Sequence, residues 1–180
     1  MIRFLLPVCV ALGLVACSGE SVSPPANEVL AVHQPSIQIV DFDGLEKALA
    51  ARVGQGYLLN FWAMWCAPCV AELPELLEVA DEYRDRGGDV IGISYDLMVA
   101  DSDSANIEAN IEKFLERKQL DLTVLILDDP DYERINERYD LPGEVPVTLA
   151  IDKTGAIVDK HHGKAGKQRF EELMKKALGL

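Results

Sequence analysis

Two cysteines, Cys66 and Cys69, stand two residues apart in the run Asn60-Phe61-Trp62-Ala63-Met64-Trp65-Cys66-Ala67-Pro68-Cys69. At the start of a helix, this spacing lets both sulfurs lie on one side of the first turn, close enough to bond. A helix N-terminus leaves unpaired N–H groups and partial positive charge. That favours a thiolate on the first cysteine and lowers its pKa below the free value of about 8.5. Pro68 is tolerated there because first-turn amides have no helical partner. Other chemistries compete with redox exchange. A structural disulfide is possible, but a bridge closing so short a loop constrains the unfolded chain little. A zinc site usually takes a second pair of ligands. The histidines, His33, His161 and His162, form neither a second Cys-x-x-Cys nor a His-x-x-x-His. Copper delivery through the pair and a histidine stays open as an alternative, and no cofactor is expected.

The elements that must hold this pair follow from hydrophobic periodicity. Residues 57–63 form a continuous apolar run interrupted only by Asn60, the pattern of a central strand covered on both faces. Residues 66–86 put Cys69, Leu73, Leu76, Leu77, Ala80 and Tyr83 on one helical face, and Gly87-Gly88 ends that helix. Pro74 cannot donate to the carbonyl of Val70, so a kink is expected there. Strands are expected at 37–42, 89–96 and 122–127, and helices at 44–53, 105–118 and 132–139. The helix at 105–118 follows a polar loop, Asp101-Ser102-Asp103-Ser104, and turns Ile107, Ile111, Phe114 and Leu115 inward. Residues 145–151 and 156–161 make a hairpin around Asp152-Lys153-Thr154-Gly155, before a last amphipathic helix carrying Phe170, Leu173, Met174, Ala177 and Leu178. Strands alternating with helices predict an α/β fold: a central mixed sheet, mostly parallel, with a C-terminal antiparallel hairpin and helices on both faces.

The N-terminal residues read as an address. Arg3 precedes a twelve-residue apolar run from Phe4 to Val15, the length of a secretory h-region and short of the about 20 residues that span a membrane. The run closes Leu14-Val15-Ala16-Cys17, which resembles a bacterial lipobox and implies cleavage before Cys17 and lipidation of its sulfur. Ser18 at the next position resembles an outer-membrane sorting signal. The expected organisation is a signal peptide at 1–16, a lipidated N-terminus and flexible tether at 17–36, and one domain at 37–180. A flexible coil of this length reaches about 25 Å, or about 60 Å if fully polyproline-like. Export places the domain where disulfides persist. Cys9 would leave with the signal, so only Cys66 and Cys69 remain as free thiol chemistry. The formal net charge of −13 and the lack of a basic cluster speak against nucleic-acid binding and suggest basic protein partners.

The run Phe61-Trp62-Ala63-x-Trp65-Cys66-x-Pro68-Cys69, followed by Glu72-x-Pro74, resembles thioredoxin-like proteins, and within them the extracytoplasmic TlpA/ResA group. The resemblance covers residues 37–180 and implies a thioredoxin-like fold with an inserted helix–strand unit. It implies a protein-disulfide reductase that exchanges dithiol for disulfide at Cys66 and Cys69. Disulfides of exported proteins, such as apocytochrome c or copper-site cysteines, are the implied substrates, and a membrane protein re-reduces the pair. A monomer is expected. An oxidase or isomerase of the same fold is the alternative, and the absence of histidine in Ala67-Pro68 favours a reductant. A peroxidase fits less well, because its cysteine usually stands outside a Cys-x-x-Cys.

The same resemblance assigns Tyr139, Gly143, Pro146, Ile151-Asp152 and Gly155 to a pattern in which Pro146 is cis beside the redox pair and residue 145 offers backbone to substrate. This chain departs from the pattern by having both Glu144 and Val145 between Gly143 and Pro146, and Glu144 is a candidate to face the site. Thioredoxin carries a buried Asp six residues before its first cysteine. Here that position is Asn60, which cannot titrate. Glu72, three residues after Cys69, is the nearest replacement, since helical side chains lean toward the N-terminus. A buried carboxylate with a raised pKa suits proton exchange near neutrality. The expected substrate-binding residues are Trp65, Ala67, Pro68, Val145 and Pro146. Trp62 fits core and site equally, and the adjacent His161 and His162 point to opposite faces of a strand.

Overall fold

A computed structural model describes residues 36–98 and 104–180. The expected signal segment, Cys17, the tether up to residue 35, and residues 99–103 of the polar loop lie outside the described residues. Six strands form one sheet in the order β1-β4-β3-β2-β5-β6, with β1 at Ile37–Val40, β2 at Gly56–Trp62, β3 at Gly88–Ser94, β4 at Thr123–Leu127, β5 at Val147–Ile151 and β6 at Ile157–His162. The first four pair in parallel. β5 runs antiparallel to β2, and β6 antiparallel to β5. β2 is buried at all seven positions, as its continuous apolar run requires.

Five helices complete the fold: α1 at Phe42–Ala50, α2 at Ala67–Tyr83, α3 at Ser104–Lys118, α4 at Tyr132–Tyr139 and α5 at Lys167–Leu178. Strand alternation sorts them onto two faces. Asn60 and Trp62 of β2 point to one face, where Asn60 meets α2 through Glu72 and the Trp62 ring lies 5.8 Å from Phe114 of α3. Helix α5 joins this layer by packing on α2 and β2. Phe61 points to the other face, 5.7 Å from the Tyr139 ring of α4. Tyr139 in turn donates its hydroxyl proton to Glu46 of α1. The α3–β4 unit places β4 between β1 and β3.

Several boundaries differ from the periodicity reading, each for a local reason. The chain leaves β1 at Val40 because Asp41 caps α1, its carboxylate accepting from the amide of Gly44 at 2.8 Å. Phe42 is therefore helical, and its own amide is held by Asp129 at 3.0 Å. At the far end of α2, Gly87 adopts φ 82° and closes a short 3-10 turn, while Gly88 already belongs to β3. Asp96 lies in a 3-10 turn after β3 and not in the strand. The four inward residues of α3 are buried as expected. Helix α2 continues through Pro74 as one span.

Close packing requires glycine at Gly56, Gly88 and Gly92 of the sheet, and the last of these bears on the site. A Cβ on Gly92 of β3 would lie 2.7 Å from the Trp62 indole nitrogen and 3.0 Å from Leu122. The large Trp62 ring is fully buried in the space this glycine leaves.

Candidate active site

Cys66 and Cys69 form a disulfide, with Cα atoms 5.3 Å apart. Cys66 is the N-cap residue of α2, and its sulfur accepts from the amide of Cys69 at 3.3 Å. A first-turn N–H thus points at the sulfur that the spacing assigns as nucleophile, in the positive field of the helix end. Cys69 is fully buried and Cys66 nearly so, while Trp65, Ala67 and Pro68 are exposed around them. The sulfur of Cys66 lies 3.7 Å from the carbonyl oxygen of Val145. The Val145–Pro146 peptide is cis, and Gly143 takes φ 82° just before it. The Pro146 carbonyl accepts from the amide of Gly163 at 2.9 Å, which ties this loop to the end of β6.

About one turn along α2 from Cys69 lies a buried polar cluster. Glu72 is 1% exposed. One carboxylate oxygen accepts from the Asn60 side-chain amide at 3.1 Å, and the other from the backbone amide of Ala165 at 2.9 Å. The Asn60 amide also donates to the Thr148 hydroxyl at 2.9 Å. Asn60 and Thr148 are directly opposed in the β2–β5 register, so their side chains share a face. The Asn60 carbonyl oxygen is buried without a partner among the described residues. Burial pushes the Glu72 carboxyl above its ordinary range, against the stabilising hydrogen bonds from Ala165 and Asn60. A carboxyl so placed can hold a proton closer to neutrality than a surface glutamate.

A second buried carboxylate supports the redox loop from behind. Asp96 accepts from the amide of Met64 at 2.9 Å and from the Ser94 hydroxyl at 2.7 Å. Burial raises its pKa too, opposed by the same donors. Its contact fixes the backbone one residue before Trp65.

The structure therefore brings together Cys66, Cys69, Val145 and Pro146, and sets Glu72 in the polar cluster at the base of α2. Trp62 belongs to the core: it is fully buried, and its indole nitrogen has no hydrogen-bond partner among the described residues. Glu144 is exposed. His161 reaches the carbonyl of Lys164 at 3.4 Å, and His162 is exposed opposite Val147. Among the described residues no group of three or more Cys, His, Asp or Glu side chains is arranged to hold a metal ion.

Sequence reasoning did not single out Thr148, Asp96 or the amide of Ala165. Thr148 carried a usable signal, since it stands two residues after Pro146 and so on the same face of the strand. Ala165 acts through its backbone and carried none.

The comparisons agree with this geometry. The AhpC/TSA family profile matches residues 31–160. The thiol-disulfide oxidoreductase ResA of Bacillus thuringiensis subsp. konkukian is 29% identical over 172 residues, covering 96% of this chain and 91% of the relative. ResA of a Bacillus cereus strain is 30% identical over 142 residues, covering 79% and 75%. Among solved structures, the exposed lipoprotein thioredoxin Etrx1 of Streptococcus pneumoniae is 31% identical with a TM-score of 0.57, over 71% of this chain and 88% of that one. A cysteine pair capping a helix, in a thioredoxin-like sheet, thus occurs here in a chain similar to thiol-disulfide oxidoreductases. The chain belongs to the AhpC/TSA family, as a thiol-disulfide oxidoreductase of the ResA/TlpA type.

Proposed function

We propose that this chain reduces disulfides in exported proteins, with Cys66 as nucleophile, Cys69 as resolving thiol and Glu72 as the proton acceptor for Cys69. In the reduced protein the Cys66 thiolate attacks one sulfur of a substrate disulfide. A Cys66–substrate disulfide forms and one substrate thiolate leaves. Cys69 gives its proton to Glu72, and its thiolate attacks the Cys66 sulfur. The Cys66–Cys69 disulfide forms, the second substrate thiolate leaves, and two electrons have passed to the substrate. A membrane-bound dithiol donor returns the pair to the reduced state.

The observation that carries this reading is the buried Glu72 carboxyl, held by Asn60 and Ala165 at the base of the helix that the cysteine pair begins. The absence of histidine between the cysteines supports the reducing direction. Apocytochrome c or copper-site cysteines are the substrates that the likeness to ResA suggests. The backbone of Val145 beside the Cys66 sulfur and the exposed side chains of Trp65, Ala67 and Pro68 form the docking edge. The Leu14-Val15-Ala16-Cys17 run supports an extracytoplasmic location with a lipid anchor on Cys17, in the outer membrane by the sign of Ser18. Among the described residues no helix is long and apolar enough to cross a membrane.

The test is the Cys69→Ser variant in an oxidising medium with a disulfide-containing substrate protein. It is expected to accumulate the Cys66–substrate disulfide, while Cys66→Ser forms none. A covalent adduct that forms on Cys69 in the Cys66→Ser protein would reverse the assigned roles.

A further inference from the structure

The exposed surface of α2 is divided along its length. On the side toward α5 it carries Glu75, Glu78 and Glu82, gathered around the amide and ammonium groups of Lys167. On the other side Ala67, Val70, Ala71 and Pro74 follow one another at helical spacing, starting beside Cys66. This apolar stripe forms one wall of a groove of about 510 Å³, with Trp65 at its redox end and Leu120 and Lys118 across from it. Trp65 is 54% exposed, the only aromatic among the exposed large hydrophobic side chains of the described residues. Exposed apolar surface contiguous with a reactive group marks a contact site, and tryptophan is the side chain most enriched where binding energy concentrates.

The charge at the rim runs against the rest of the molecule. Met64, which lines the groove, also lines the adjoining depression with Asn110, Lys113, Glu116 and Arg117 of α3. Lys113, Arg117 and Lys118 are exposed, and none is held in an ion pair with another described residue at a distance that defines one. Three cations against one carboxylate, Glu116, therefore border an apolar groove in a chain of net charge −13. Arg117 and Lys118 also complement the C-terminal end of the α3 dipole, but that accounts neither for Lys113 nor for their meeting the redox loop at Met64.

We propose that this groove seats the substrate segment beside the target cysteine, and that it selects a segment that is apolar next to the cysteine and acidic beyond it. The proposal rests on the thiol–disulfide exchange at Cys66. An apolar side chain stacks on Trp65 and along Ala67, Val70 and Pro74, and carboxylates further along meet Lys118, Lys113 and Arg117. A segment with lysines at those positions meets like charge. The negative field of the whole molecule acts on the partner as a body. The cationic rim acts only on what lies within a Debye length, about 10 Å at 0.1 M salt.

The experiment uses the full chain, reduced, with two cyclic disulfide peptides identical except for two glutamates or two lysines beyond a leucine that flanks the cysteine. Exchange converts each peptide disulfide to two thiols as Cys66 and Cys69 become a disulfide. Acid quench and mass spectrometry follow the rate. Bis(2-hydroxyethyl) disulfide, too small to fill the groove, reports the cysteine chemistry alone. The glutamate peptide is expected to react about three- to tenfold faster than the lysine peptide, as two or three exposed charge pairs would give. The ratio is expected to invert in Lys113→Glu/Lys118→Glu. The wild-type comparison stands by itself if that variant fails to fold, and Lys118→Gln alone is expected to halve the preference or better. Equal rates, a lysine preference, or a glutamate preference that survives charge reversal would overturn the groove while leaving exchange intact. No reaction with the small disulfide would instead overturn the exchange on which the proposal rests. A concentration-dependent dimer broken by Trp65→Ala would assign the groove to a second copy of the chain and overturn it as well.

Discussion

Glu72 holds two donated hydrogen bonds and almost no contact with water, so its charge is stabilised by Ala165 and Asn60, with a smaller contribution from the Lys164 ammonium. Those bonds fall short of what solvent supplies, and the folded pKa lies above the ordinary 4.5. Two consequences follow for Glu72→Gln. The resolving step loses its proton acceptor, and exchange near neutral pH is expected to slow by on the order of 10²-fold, the low end for a positioned base. Stopped-flow exchange across the pH range checks this, and unchanged rates at every pH would refute the role. Stability moves as well. The folded chain keeps the Glu72 proton to higher pH than the unfolded chain. The stability tied to that proton is complete below about pH 4.5 and is lost as pH rises through the folded value. Wild type should therefore lose stability relative to Glu72→Gln as pH rises above about 4.5, read from urea midpoints at constant slope. The causes of the Asp96 shift, burial and the donors Ser94 and Met64, do not include Glu72, so the comparison isolates Glu72.

At the scale of elements, β2 and β3 carry the site on a floor of close packing. Gly92→Ala would place a methyl 2.7 Å from the Trp62 indole nitrogen. Overpacking of this kind costs about 1–3 kcal/mol, and thermal unfolding should show it as a Tm lower by about 2–12 °C. A Tm within error of wild type would mean the Trp62 pocket yields freely. The elements themselves were legible to different degrees. The strand–Cys-x-x-Cys–helix unit stood out because a buried strand, a first-turn proline and an apolar helix face all agree locally. The start of α1 did not, because Asp41 as cap outweighs the continued apolar pattern through Phe42. Glu72 was found from its helical offset to Cys69. Its partner Ala165 lies 93 residues away, and Thr148, the second acceptor of its partner Asn60, lies 88 residues from Asn60; only strand pairing and the loop before α5 bring them in. Asp96 was missed because it reads as the end of a strand and works as a cap on a distant loop.

For the whole molecule, the net charge of −13 sets a repulsive field for acidic proteins and an attractive one for basic proteins. Exchange with a basic protein disulfide should slow roughly tenfold as ionic strength rises from about 10 to about 200 mM. Rates indifferent to salt would argue against steering. The global field governs encounter, and the local rim of Lys113, Arg117 and Lys118 governs which segment then seats. The fold places the pair where either direction of exchange can run: a helix-capping cysteine beside the Val145 carbonyl serves a reductase and an oxidase alike. Direction is a property of the dithiol–disulfide equilibrium. The reduction potential of Cys66–Cys69, titrated against glutathione or dithiothreitol buffers, therefore tests the reductase reading most directly. The account predicts a value near or below about −270 mV, where thioredoxin lies, and a value near the about −120 mV of DsbA would contradict it.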